Sequence, residues 1–151
     1  MDIRKDDPAN PALADLLAEH VAEQRGNVPP GFAFALDAAG LCHSDVTFFA
    51  AWDGDTPAGF GALKRLDADS GEVKSMRTAD ACRGRGIGRA VLDRIIAEAR
   101  AGGLRRLFLE TGTTAFYAPA HALYARAGFI PCDAFADYRP SPHNRFFTLA
   151  L

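Results

Sequence analysis

Cysteine is scarce in this chain, with residues only at 42, 82 and 132. An odd number so widely spaced forms no Cys-x-x-Cys metal or redox site, and a reducing cytoplasm suits it. The four histidines, His20, His43, His121 and His143, show no metal-ligand spacing, so no metal is expected. No apolar run approaches the length of a membrane span. Residues 1–7, Met-Asp-Ile-Arg-Lys-Asp-Asp, lack the apolar stretch of a signal peptide. A net charge of −2 supplies no field toward nucleic acid or an anionic membrane. Repeats, low-complexity tracts and long linkers are missing too. What remains is a cytoplasmic protein with no nucleic-acid or membrane partner. Its 151 residues, 48% of them apolar, are expected to form a single domain, 1–151, with a sizeable core.

The feature that stands out is the run Arg83, Gly84, Arg85, Gly86, Ile87, Gly88, Arg89. Glycine lets the backbone approach a ligand closely and turn its N–H groups toward it. A helical pattern begins at Ile87, and its free N–H groups and positive dipole end face the same place. The pattern predicts a phosphate cradle. It is not a Walker A loop, because no Lys-Ser or Lys-Thr follows. It misses the dinucleotide fingerprint, since Arg89 stands where the third glycine belongs, although Glu110 imitates the acid that closes the next strand. The arginines alone read equally well as a solvated, helix-flanking surface.

Around this loop the periodicities predict an edge strand from Ile3 to Lys5. A helix follows from Pro11 to Arg25, capped by Asn10, with Leu13, Leu16, Leu17 and Val21 inward. Residues 32–41 read as a short helix or irregular. Strands are expected at Val46–Asp53, Pro57–Leu66 and Glu72–Thr78, turning at Asp53-Gly54-Asp55 and again at Asp67–Gly71. Ile87–Ala101 is an amphipathic helix, stopped by Gly102-Gly103. A strand at Leu104–Glu110 returns by a parallel crossover. A short helix at Pro119–Ala127 and closing strands at Phe129–Phe135 and Arg145–Leu151 complete an order ββββ-α-β-α-β-β after one or two N-terminal helices. The fold class is therefore α/β, a mixed sheet with helices on both faces.

Four segments arrive in a telling order: Glu-Val-Lys-Ser-Met at 72–76, Arg-Gly-Arg-Gly-Ile-Gly at 83–88, Leu-Glu-Thr-Gly at 109–112, and Leu-Tyr-Ala-Arg-Ala-Gly-Phe at 123–129. Together they resemble the GNAT superfamily of acetyl-CoA-dependent N-acyltransferases, in particular its small bacterial members. The resemblance runs from about Val46 to the C-terminus. It implies acetyl-CoA as cosubstrate and a small primary amine as acceptor, joined by direct attack without a covalent intermediate. It implies that the backbone of Met76, Arg77 and Thr78 pairs with the pantetheine arm. The N–H groups of Arg83, Gly84, Arg85, Gly86, Ile87, Gly88 and Arg89 would then hold the pyrophosphate. Tyr124 would protonate the leaving thiolate or else pack on the sheet, with Tyr117 the second candidate. Thr111 would bond an amide of the cofactor arm or of the substrate.

Glu72 and Lys74 alternate onto one face of an interior strand. Either they pair with each other, or, as the resemblance implies, Glu72 accepts the amine's proton while Lys74 holds that carboxylate in place or binds an acid group on the substrate. In relatives the segment 29–44 forms the acceptor wall. Here that implies an apolar wall with Phe32 and one acid, Asp37, closed opposite by Tyr138. Two departures stand out: no asparagine precedes the final helix, and the 113–118 connection looks long. A homodimer paired through an edge strand at Arg145–Leu151 is a further expectation. The rivals are an acyl-CoA sensor of the same fold, a Rossmann-like nucleotide module and a protein-lysine acetyltransferase.

Overall fold

The computed structural model describes residues 1–151. Seven strands form one sheet: β1 (Asp2–Lys5), β2 (Val46–Asp53), β3 (Thr56–Arg65), β4 (Ser70–Thr78), β5 (Arg106–Gly112), β6 (Ile130–Pro131) and β7 (Asn144–Ala150). Their spatial order is β1-β2-β3-β4-β5-β7-β6. Only β4 and β5 run parallel; every other pairing is antiparallel. The helices are α1 (Ala14–Gly26), α2 (Ala38–Leu41), α3 (Ile87–Ala101) and α4 (Ala118–Arg126). Three strands, not four, precede α3 without interruption, because β1 is spent before α1.

The sheet separates two cores. On one face α3 buries Ile87, Val91, Leu92, Ile95, Ile96 and Ala99 against Phe49, Leu63, Val73, Leu107 and Leu109. This is the stripe its 3.6-residue period calls for. On the other face Leu13, Leu16, Leu17 and Leu41 cover Phe48, Ala50, Trp52, Phe60 and Ala62. The Asn10 side chain caps the chain's first turn by accepting from the Ala12 N–H, and that turn, Pro11–Leu13, is 3-10 rather than α. His20, not Val21, fills the inner position of α1. It lies edge-on to Phe60 at 5.5 Å, and burial, the largest cause, lowers its pKa to about 4 and leaves it neutral.

Two expectations about the last strands are corrected. The strand expected over residues 129–135 is only Ile130–Pro131, and it forms the sheet edge. The C-terminal strand β7 does not lie at an edge. It sits between β5 and β6, pairing with β5 along its whole length, from Asn144 to Ala150. One side of it pairs with β5 throughout, and on the other side β6 covers Phe147 and Thr148.

Beyond Glu72, strand β4 carries a bulge. Phe60 pairs with Arg77 and Ala62 with Lys74, so Ser75 and Met76 together oppose Gly61. Ser75 takes φ 57°, a left-handed conformation uncommon for serine. The extra residue shifts the alternation by one. Val73 and Met76 pack on the α3 core, while Arg77 turns to α1. There Arg77 is buried and makes a two-pronged ion pair with Glu23, with Glu19 and Asp80 nearby. Hydrogen bonding from Arg77, the largest cause, lowers the Glu23 pKa below its ordinary 4.5. A lowered carboxylate stabilises the fold above its unfolded pKa, and that stability is lost as pH falls through the folded value. Wild-type protein should therefore lose thermal stability as pH drops below about 4.5, and Glu23→Gln should flatten that fall. Identical melting-temperature profiles across pH 3–6, an interval of about the usual carboxylate range, would remove Glu23 from the account.

Candidate active site

The parallel pair β4–β5 is joined at three registers only, Ser70–Arg106, Gly71–Leu107 and Glu72–Phe108. Both strands then continue, β4 to Thr78 and β5 to Gly112, without pairing. The sheet parts there, and the facing backbone edges are left free. A cleft open to solvent occupies the gap. Its walls come from Glu72 to Met76 of β4, Glu110 to Gly112 of β5, Tyr117, Ala120 and Tyr124 near α4, His20 and Gln24 of α1, and Phe32 to Ala35 apart from residue 33.

At one end lies the glycine loop. A short 3-10 turn, Asp80–Cys82, leads into it, and Gly84 and Gly86 both take φ 77°. No atom lies within 4 Å of where a Cβ would stand on either, so the space above the loop is open. Gly86 begins α3 without a side-chain cap, which leaves the first-turn N–H groups of the helix free. Gly88 differs, because a Cβ there would touch Leu123 at 3.4 Å and Thr78 at 3.5 Å. These are ordinary contact distances, so Gly88 lies closer to its neighbours than Gly84 or Gly86 does. The arginines have acidic partners: Arg83 with Asp80 at 2.9 Å, Arg85 with Asp53 at 3.1 Å and Arg89 with Asp93 at 2.9 Å. Exposed pairs like these contribute little to stability, and the arginines remain near the loop's mouth.

Of the three β4 residues expected along the cofactor arm, only Met76 reaches the cleft wall. The Arg77 side chain is committed to Glu23 on the far side, so only its backbone remains for a ligand. Thr78 sits by the loop, its hydroxyl beside Gly88. Thr111 is buried and lines the cleft at the end of β5. The Ser75 hydroxyl, at the bulge, is buried with no hydrogen-bond partner. In a site this costs stability unless a ligand or water meets it.

Tyr124 and Tyr117 both reach the cleft. Tyr124 packs edge-on to Phe129 and its hydroxyl engages no protein group. Burial, then the Glu110 charge, raises its pKa, so the hydroxyl stays protonated. Tyr117 is placed by a 3-10 turn, Ala115–Tyr117, and its hydroxyl donates to Gln24 Oε1 at 2.9 Å. Its ring lies over Gly112. His121 ties α4 to the end of β5, with Nε2 2.8 Å from the Gly112 carbonyl.

Glu72, Lys74 and Tyr138 do meet. The Tyr138 hydroxyl donates to Glu72 Oε2 at 2.6 Å, and Lys74 Nζ lies 3.3 Å from that oxygen and 2.8 Å from the hydroxyl. Glu72 and Lys74 are almost wholly buried. The pairing reading of these two residues is thus what the geometry contains. Phe34 stacks edge-on against Tyr138 at 5.2 Å, and Phe32 packs on His143 at 4.7 Å. Asp37 is corrected: it is the N-cap of α2, its carboxylate accepting from the Gly40 N–H at 2.8 Å, and it takes no part in the cleft wall.

Glu110 is the residue that sequence reasoning passed over. Its side chain lines the cleft at the end of β5, two-thirds or more enclosed, with no hydrogen-bond or ion-pair partner in the protein. Burial, the largest cause, pushes its pKa up to about 7 against the opposing pull of Lys74. The available signal was its place at the carboxyl end of a parallel strand, where open α/β sheets gather ligands. No group of three or more His, Cys, Asp or Glu is placed to hold a metal ion. No helix is long and apolar enough to cross a membrane.

A parted sheet with a glycine loop and an uncapped helix at its mouth is the architecture of an acyl-CoA transferase, and comparison with known proteins agrees. The profile of the Acetyltransferase (GNAT) family matches residues 13–129. The uncharacterized N-acetyltransferase YedL of Escherichia coli is 44% identical over 99% of this chain and 94% of its own length. The uncharacterized N-acetyltransferase YsnE of Bacillus subtilis is 42% identical over the full length of both. A Klebsiella pneumoniae structure ascribed to an acyl-CoA N-acyltransferase superimposes with a TM-score of 0.81 and 27% identity, covering 99% of this chain and 97% of that one. The chain belongs to the GNAT acetyltransferase family, and it is an acetyl-CoA-dependent acyltransferase.

Proposed function

We propose that this protein transfers an acetyl group from acetyl-CoA to the primary amine of a small molecule, both substrates being bound together. The observation that carries this reading is the cleft where β4 and β5 part, open at one end to the uncapped start of α3 and closed at the other by aromatic and charged side chains. The pyrophosphate would take the N–H groups from Arg83 to Arg89, and the pantetheine arm would extend along the free edge of β4 at Met76. The bulge at Ser75 leaves a residue outside the ladder, and its N–H would receive the oxyanion of the tetrahedral intermediate.

The neutral amine attacks the thioester carbonyl carbon. The C–N bond forms, the intermediate collapses with loss of the C–S bond, and Tyr124 gives the leaving thiolate its proton. Forming the amide releases an N–H proton, which balances the one Tyr124 supplies. The acceptor would lie against Phe32 and Phe34, with Lys74 and Tyr138 at its far end. Such a pocket suits a compact amine with an apolar body better than a polycation, which would need several free carboxylates.

Calorimetry with CoA and a panel of small amines with free-thiol detection test this directly. Wild type should bind CoA and release thiol with at least one compact amine. Gly86→Val forces a β-branched residue to φ 77° and fills the open space above the loop, and should weaken CoA binding by roughly tenfold or more. CoA binding with no turnover on any amine would favour an acyl-CoA sensor of the same fold. No CoA binding at all would end the reading.

A further inference from the structure

We infer that Glu110, rather than Glu72, is the proton acceptor that converts the acceptor's ammonium to the attacking amine. This rests on the acetyl-transfer reading above and names the group that starts the reaction. The two carboxylates line the same cleft but stand in opposite environments. Glu72 receives a short hydrogen bond from Tyr138 and the charge of Lys74 on the same oxygen. That oxygen is therefore already engaged by two protein partners and is not free to meet an incoming ammonium. Glu110 has neither, although it is mostly enclosed. An enclosed carboxylate without a partner gains more than an exposed one from taking up a proton. Of the two carboxylates, one is committed to protein partners and the other is left for a substrate.

The groups facing Glu110 support this. From β4 come Glu72 and Lys74, whose charges largely offset each other. Tyr117, Tyr124 and Tyr138 approach it from the 3-10 turn, from α4 and from the segment after β6; burial is the main cause of their raised pKa values, and Glu110's charge adds to it, after Glu72 in the case of Tyr138. On α1, His20 is neutral and lines the cleft with Gln24. On β7, the residue opposite Glu110 is Phe146. No free cation other than Lys74, already paired, opposes Glu110. An incoming ammonium would be the missing counter-charge.

The proton accounting is simple. The ammonium N–H gives its proton to the Glu110 carboxylate, leaving a neutral amine and a carboxylic acid. That acid returns its proton to water through the open side of the cleft, which restores the base for the next turnover. Tyr124, on the other side of the gap, serves the thiolate. Glu72 becomes a positioning residue for Lys74 and Tyr138.

The test joins a titration with kinetics. In wild-type protein carrying 13C-carboxyl glutamate, one resonance should titrate with a midpoint of about 7, and Glu110→Gln should remove it. All glutamates titrating in the ordinary carboxylate range would overturn the inference, whether or not an acceptor has been found. With an active amine from the panel, wild-type kcat/KM should rise with pH through the same midpoint. Glu110→Gln should cut it about 10²-fold at neutral pH, recover as the amine's own deprotonation takes over, and leave CoA affinity unchanged. Glu110→Asp should restore part of the loss. Glu72→Gln should keep the acid limb where it is in wild type. If instead Glu72→Gln abolishes that limb and Glu110→Gln keeps it, the roles are reversed. Loss of CoA binding by the wild type would count against the acetyl-transfer reading, while the titration still judges Glu110.

Discussion

Replacing Tyr124 by phenylalanine should lower kcat by about 10²-fold and leave the affinity for CoA nearly unchanged. The ring carries the packing: it contacts Phe129 and belongs to the α3-side core. The hydroxyl carries none, since it meets no protein partner and faces the cleft. Removing it therefore subtracts one proton donor and little stability. Its raised pKa keeps it protonated throughout the neutral range, so the wild-type enzyme should show no loss of turnover from its ionisation near pH 8, about two units below the ordinary tyrosine value. Tyr117→Phe is the informative control. That hydroxyl is already donating to Gln24, so its loss should loosen the contact between α1 and the turn before α4 and leave the chemical step alone. Single-turnover kinetics separate the two. An unchanged chemical rate in Tyr124→Phe, with Tyr117→Phe slow instead, would exchange their roles.

The second large effect is expected at Gly112, which ends β5 beneath the Tyr117 ring. A Cβ there would stand 2.1 Å from Tyr117 Cε2 and 2.5 Å from Cδ2. Those are ring atoms of a buried side chain, and the ring cannot yield without giving up its bond to Gln24. Gly112→Ala should cost about 1–3 kcal/mol, as overpacked cores do. For a chain of this length that is a melting temperature lower by roughly 2–12 °C. Displacing Tyr117 also reshapes the cleft, so KM for the acceptor should rise. The same substitution in a Tyr117→Leu background should cost much less, because the obstructing ring is gone. Equal losses in both backgrounds would show that the ring is not what Gly112 accommodates.

Both effects depend on where β5 ends and what lies across from it, and here sequence and tertiary structure contributed different things. The helix α3 was legible to the residue, Ile87–Ala101, because its apolar positions recur with the helical period and glycines follow it. The β2–β3 hairpin was legible because Gly54 sits in a two-residue turn between runs of β-forming residues. The glycine turn before α3 was legible for the same reason, since positive φ at Gly84 and Gly86 is a local demand that glycine answers. The bulge at Ser75 was not, because its cause lies in the register against Gly61 on another strand. It also explains why Arg77, counted along a regular strand, turned out to face Glu23.

Asp37 failed as an acceptor-site acid because a cap three residues from Gly40 uses the same carboxylate. The place of β7 between β5 and β6 could not be read from its own residues, since pairing order is settled by distant partners. Glu110 makes the division plainest. The sequence by itself determined that an acid would stand near the end of the strand after α3. Only the tertiary structure decided that this acid would be enclosed and unpaired while Glu72 received both Lys74 and Tyr138. A carboxylate's basicity depends on its solvent and its neighbours, and those are assembled from β4, β5, the turn before α4 and the segment after β6, up to 66 residues apart in the chain.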